Sequence, residues 1–213
     1  MMSILERKER EKEYRRRTII DAAEKVFFSK GFEVATMQDI ANEADLSKGT
    51  LYLYFKTKNE VCLAIYLRSL KIISSYLEKI IEEKDDAIEK ILNFYKVFNL
   101  FIGEQPAYYM AILNYRQHGT HCSEDSKILK ACIQQNAVIN SQLINIIEEG
   151  KTRGSIKDDV ESANISRLIW NNRTGILSNS VLIETDIASE TIQQGKDAIR
   201  YFFKLMIEAI RSK

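Results

Sequence analysis

The sequence contains one proline and eight glycines in 213 residues. A β-rich chain of this length needs more turn residues. With abundant Leu, Ile, Lys, Glu and Ala, the scarcity points to helix. Cysteine is also sparse: Cys62, Cys122 and Cys132 form no C-x-x-C pair, and an odd number without a framework fits reduced thiols. No apolar run reaches the roughly 18 residues that a membrane span needs. The uncharged stretch from Ala131 to Ile147 is interrupted by Gln134, Gln135, Asn136, Asn140, Gln142 and Asn145. Charge starts at Glu6 with no apolar core behind it, so no signal peptide is expected. These absences lead to the expectation of a cytoplasmic protein with no membrane partner. A surplus of one charge is lacking as well. The net charge is +1, so any claim of nucleic-acid binding must rest on where charge is placed.

Catalytic signatures are missing too. There is no G-x-S-x-G, no Walker-type glycine loop and no Glu-x-x-His pair, and the carboxylates sit in solvated charge patterns. No catalytic residue or cofactor is assigned, and the chain is not expected to be an enzyme. His118, His121 and Cys122 offer imidazole and thiolate, which suit zinc. Their crowded H-x-x-H-C spacing after Gly119 fits a loop better, so no metal site is assigned.

Hydrophobic residues make up 45% and charged residues 29% of the chain, as in an ordinary globular protein. Apolar spacing predicts an all-α fold of about nine helices: one near residues 7–30, two short ones capped by Thr36 and Ser47, and others near 57–83, 85–103, 106–119, 125–153, 160–184 and 187–211. Gly31 is positioned to end the first helix and Pro106 to open the sixth. Near the N-terminus, Glu6–Arg10, Glu11–Arg15 and Glu13–Arg17 are i, i+4 pairs in the favourable order. That run reads as a solvated helix extension, although Arg15-Arg16-Arg17 can also follow a phosphate backbone.

The most informative stretch lies between Gly31 and Val61. Thr36 and Asp39 have capping-box spacing, and Ile40, Ala41 and Ala44 share one helical face. Ala44-Asp45-Leu46 breaks the pattern, and Ser47 can cap a second short helix. That helix has Leu51 and Phe55 on its back and Lys48, Thr50, Tyr52 and Tyr54 in front. An apolar back with a hydroxyl, amine and phenol front suits a DNA major groove.

The segment resembles the helix-turn-helix of the TetR family of bacterial transcriptional regulators. The carrying residues are Gly31-Phe32, Thr36, Asp39-Ile40-Ala41, Ala44, Ser47-Lys48-Gly49-Thr50-Leu51-Tyr52, Tyr54-Phe55 and Lys58. Asp45 departs from the usual turn glycine, and is expected to take the left-handed backbone that Asp tolerates better than most residues. Gly150 to Ala163 is similar to the loop before the last two helices of such proteins.

The resemblance implies a DNA-binding domain at 1–56 and an effector-binding and dimerisation domain at 57–213. Gln38, Lys48 and Thr50 are the base-edge candidates: Gln for adenine, Lys for guanine, the Thr methyl for a thymine methyl. Thr36, Tyr52 and Lys58 are the phosphate candidates. Tyr52 can instead pack on the first helix, and Tyr54 fits either role. Ser47 is placed at the interface as the cap, and Gly49 as the residue that permits close approach.

Aromatics beside polar groups in the second half suggest a small-molecule pocket. Phe98, Tyr109, Leu113, Trp170 and Arg173 are the chosen lining residues. The resemblance further implies a homodimer through the last two helices. Ile192, Ile199, Phe202, Phe203 and Met206 are taken to face the partner, and Gly175 to permit close approach. The expected function is a ligand-responsive regulator, a repressor released from double-stranded palindromic operator DNA by a small-molecule effector. The alternatives are an all-α enzyme or carrier that uses a helix-turn-helix-like tri-helix only for packing, and a scaffold that uses its last helices for association.

Overall fold

The computed structural model describes residues 3–104, 108, 111, 126–175 and 200–212. The helices are α1 (Ile4–Lys30), α2 (Met37–Glu43), α3 (Lys48–Tyr54), α4 (Lys58–Glu82), α5 (Ala87–Glu104), α6 (Lys127–Thr152), α7 (Ser162–Gly175) and α8 (200–210). Among the described residues the only β pairing is an isolated bridge between Ile156 and Arg211. The expected sixth helix lies outside the described residues except for Tyr108 and Ala111, which are helical. So do the end of the expected eighth helix, the start of the ninth, and the cluster His118, His121 and Cys122.

The described chain forms two compact units. One comprises Met1–Ser69 with Ile102–Ile133, the other Leu70–Phe101 with Gln134–Lys213. The division falls inside α4, between Ser69 and Leu70.

In the first unit α1 is longer than the spacing predicts. Ser3 caps it: the Ser3 hydroxyl accepts from the Glu6 N–H, and the Glu6 carboxylate accepts from the Ser3 N–H at 2.7 Å. That box takes the Glu6 carboxylate that sequence pairs with Arg10. At the other end Gly31 has φ 77° and donates to the Phe27 carbonyl. Only glycine adopts such a conformation without strain. The α1 residues Ile19, Ile20, Ala23, Val26 and Phe27 pack inward, with Ile40, Ala41, Leu51 and Phe55 also fully buried. Burying each of the larger side chains stabilises the unit by about 1.5–3 kcal/mol. Ion pairs fix the helices around this core. Lys25 meets Glu43 and Lys30 meets Asp39 between α1 and α2, and Arg68 of α4 reaches Asp21 and Glu24 of α1.

In the second unit the helical spacing places Ile73, Leu77 and Ile80 of α4 in a core with Ile139, Leu143 and Ile146 of α6. Lys90, only 2% exposed, donates to the Ile81 carbonyl and to Glu149, tying the end of α4 to α5 and α6. Gly150 is required by contact, since a Cβ there would lie 2.6 Å from Ile156 and 2.7 Å from Ala87. The C-terminal end of α8 is held by the loop after α6. Lys157 N–H donates to the Ile210 carbonyl, and the Lys157 ammonium to that of Ala209.

Candidate nucleic-acid interface

Thr36 starts α2 with its hydroxyl accepting from the Asp39 N–H, while the Asp39 carboxylate accepts from the Thr36 N–H and hydroxyl. The hydrogen bond from Lys30, and then those from Thr36, pull the Asp39 carboxyl down to about 2. The cap is therefore also a link to the C-terminal end of α1. In the turn, Leu46 N–H donates to the Ala41 carbonyl, and Asp45 adopts φ 53°, as expected where glycine is replaced. Asp45 is the one non-glycine residue with positive φ among those described.

Ser47 then caps α3. Its hydroxyl accepts from the Thr50 N–H at 3.1 Å and pairs with the Thr50 hydroxyl at 2.8 Å. Lys48 and Gly49 are exposed on the first turn, with Leu51 and Phe55 buried behind them. A Cβ on Gly49 would meet only the Ser47 hydroxyl, at an ordinary 3.8 Å, and its φ is not positive. Nothing among the described residues requires glycine here, and in a helix it is about 1 kcal/mol worse than alanine. Gln38, exposed on α2, donates to Asn42 at 2.8 Å. Thr36 and Tyr52 are exposed as well.

Two cations expected at phosphates have partners within the chain. The Lys58 ammonium, read as a phosphate contact, donates to the Phe32, Glu33 and Ala35 carbonyls at 2.6, 3.1 and 2.9 Å and sits 4.4 Å over the Phe32 ring. All three of its donors are engaged, so it clamps the loop between α1 and α2. The periodicity hides this because the acceptors are backbone atoms more than 20 residues away. Arg16 likewise leaves the expected phosphate-facing triplet. Its guanidinium lies 4.5 Å over the Phe55 ring, and burial lowers its pKa against the charges of Glu13 and Glu60. Arg17 pairs with Glu13 as predicted, and Arg15 is exposed. Tyr54 is half-buried and lines an open groove with the first turns of α1.

Phe98 and Trp170 both lie in the second unit and are joined through Phe94, at 6.2 and 6.5 Å between ring centres. The Trp170 indole donates to Asn136 at 2.9 Å. Tyr109 and Leu113 lie outside the described residues, and only the backbone of Arg173 is described. No group of three metal-ligating side chains occurs among the described residues.

Two of the five residues expected to face a partner chain, Phe203 and Met206, are buried within the described chain. Ile192 and Ile199 lie outside the described residues, and Phe202 is half-buried. Phe203 is 3% exposed, packs 4.5 Å from Tyr95, and is buried with Met206 in the chain's own core. At about 100° per residue, 203, 206, 207 and 210 share the inward face of α8. Tyr201 and Leu205, 62% and 47% exposed, lie opposite.

The model for bacterial regulatory proteins of the tetR family matches residues 19–65, which contain both capped helices and the turn. Over 145 residues the chain is 30% identical to the fatty acid metabolism regulator protein of Bacillus subtilis (strain 168), a match covering 67% of this chain and 71% of that protein. The fold is similar to that of the transcriptional regulator FadR from Bacillus subtilis in complex with stearoyl-CoA, with a TM-score of 0.63 at 22% identity over 89% of this chain and 96% of that one. It is also similar to the SmeT–triclosan complex, with a TM-score of 0.66 at 19% identity over 94% and 93% of the two chains.

Proposed function

The chain belongs to the TetR family of bacterial regulatory proteins, and from that premise we propose that this DNA-binding transcriptional regulator is a repressor released from a palindromic operator by a small molecule. The observation that carries the reading is the doubly capped α2–turn–α3 with Lys48 and Gly49 exposed over buried Leu51 and Phe55. Lys48 and Gln38 read base edges, and Thr50 offers its methyl group while its hydroxyl stays with Ser47. Thr36 and Tyr52 contact phosphates, and a domain from 1 to 56 carries the head. The relatives are transcriptional regulators, which disfavours the enzyme or carrier reading. Such a regulator works in the cytoplasm, where its DNA is.

Association of two chains through α7 and α8 sets two heads on inverted half-sites about 34–36 Å apart. The solved relatives bound to stearoyl-CoA and triclosan favour an apolar or amphipathic effector, taken up near Phe98 and Trp170. An effector that favours another spacing of the heads weakens operator binding, and linkage makes the effect reciprocal. Calorimetry of long-chain acyl-CoA binding, with and without duplex from the chain's own upstream region, tests this. The expected result is a 5- to 150-fold loss of ligand affinity when DNA is bound, the usual size of such coupling. Equal affinities would remove the inducer role.

A further inference from the structure

Residues 4–15 of α1 are exposed at every position, and the first buried residue of the helix is Ile19. At 1.5 Å per residue, this part of the helix projects roughly 18 Å beyond the packed bundle. It is not a uniformly mixed charged surface. Successive residues turn by about 100°, which places Glu6, Glu9 and Glu13 on one side, with Arg10 and Arg17 beside them, and Arg7, Lys8, Lys12 and Arg15 on the other. Two of the acids are already engaged, Glu6 with the Ser3 cap and Glu13 with Arg17. Glu11 is the single acid on the basic side, where it meets Arg7 at 3.3 Å.

The basic side borders a groove of about 850 Å³ lined by Arg7, Lys8, Arg10, Lys12 and Arg15, with Glu11, Tyr14 and Tyr54. The whole chain carries only +1, so five cations against one carboxylate mark a local concentration of charge. Tyr54 is the last residue of α3, which makes the groove continuous with the reading helix. Arg16 over the Phe55 ring anchors α1 beside that end of α3.

We propose that the projecting turns of α1 form a second DNA-contacting element, in which Arg7, Lys8, Lys12 and Arg15 hold duplex phosphates flanking the segment read by α3. The chemistry fits a polyanion. These cations contact phosphate oxygens, which position the head without reading sequence. The inference rests on the regulator reading above and extends its interface to a part of the chain outside the matched residues 19–65.

The test is the salt dependence of DNA binding by the full chain. Fluorescence anisotropy would compare wild type with the combined variant Arg7→Gln, Lys8→Gln, Lys12→Gln, Arg15→Gln. The probe is duplex from the chain's own upstream region, with a scrambled duplex of equal length as reference. A second variant, Glu6→Gln, Glu9→Gln, Glu13→Gln, controls for general changes in α1, and circular dichroism checks that helix content is kept. Each lost phosphate contact flattens the slope of log affinity against log salt by about 0.9. The four-cation variant should therefore lose roughly 3 to 4 slope units per bound chain, about 7 for a dimer on two half-sites, and keep its preference for upstream over scrambled duplex. The acid variant should lose none. An unchanged slope in the four-cation variant overturns the proposal while leaving the regulator reading intact. So does binding of the basic face to vesicles containing phosphatidylglycerol in preference to DNA. Failure of the wild type to bind either duplex overturns both.

Discussion

Gly49 separates the demands of folding from those of binding. Its backbone is ordinary helix and a Cβ there meets nothing closer than 3.8 Å, so the chain gains no stability from glycine. Gly49→Ala is expected to stabilise the fold by up to about 1 kcal/mol in urea unfolding and to weaken DNA binding. Unchanged DNA affinity would show that the helix does not approach the duplex at this residue. Lys58 shows the opposite case. Replacing it by Met removes three hydrogen bonds from one ammonium to the α1–α2 loop. A loss of about 1–3 kcal/mol in stability is expected, with no change in the salt slope of DNA binding. A flattened slope with unchanged stability would return Lys58 to the phosphates. The caps at Thr36 and Ser47 and the strained Asp45 were legible from the sequence because each depends on residues within three positions. The roles of Lys58, Arg16 and Lys90 were not, because their partners are distant in sequence.

At the level of elements, the period of 3.6 residues located α4, α5 and α6 to within a few residues, and Gly31 ended α1 as predicted. What the period does not decide is which partner a stripe meets. The sequence pattern assigns the stripe containing Phe203 and Met206 to a second chain, and in the structure both side chains are buried on the inward face of α8. A stripe looks the same in sequence whether its own chain or another covers it. The outward positions Tyr201 and Leu205 carry the dimer proposal. Tyr201→Glu with Leu205→Glu is expected to give folded monomers in sedimentation with weakened DNA binding. Phe203→Glu is expected to lower stability by several kcal/mol, because it buries a charge against Tyr95. A folded Phe203→Glu monomer and an unchanged Tyr201→Glu, Leu205→Glu dimer would restore the first reading.

For the whole molecule, composition excluded more than it specified: a net charge of +1 gives no sign of DNA binding, which appears only in the placement of charge along α1 and α3. α4 belongs to both compact units. All of this depends on one claim, that the capped α3 reads sequence. The most direct test is an anisotropy titration of wild type and Lys48→Ala on upstream duplex, on scrambled duplex, and on upstream duplexes altered one base pair at a time. Wild type should prefer upstream over scrambled duplex by at least about 10³-fold. Lys48→Ala should lose about 1–3 kcal/mol and its discrimination at a single base pair, with preferences elsewhere intact. Equal binding of wild type to upstream and scrambled duplex, or a Lys48→Ala variant that discriminates every base pair as wild type does, would contradict the account.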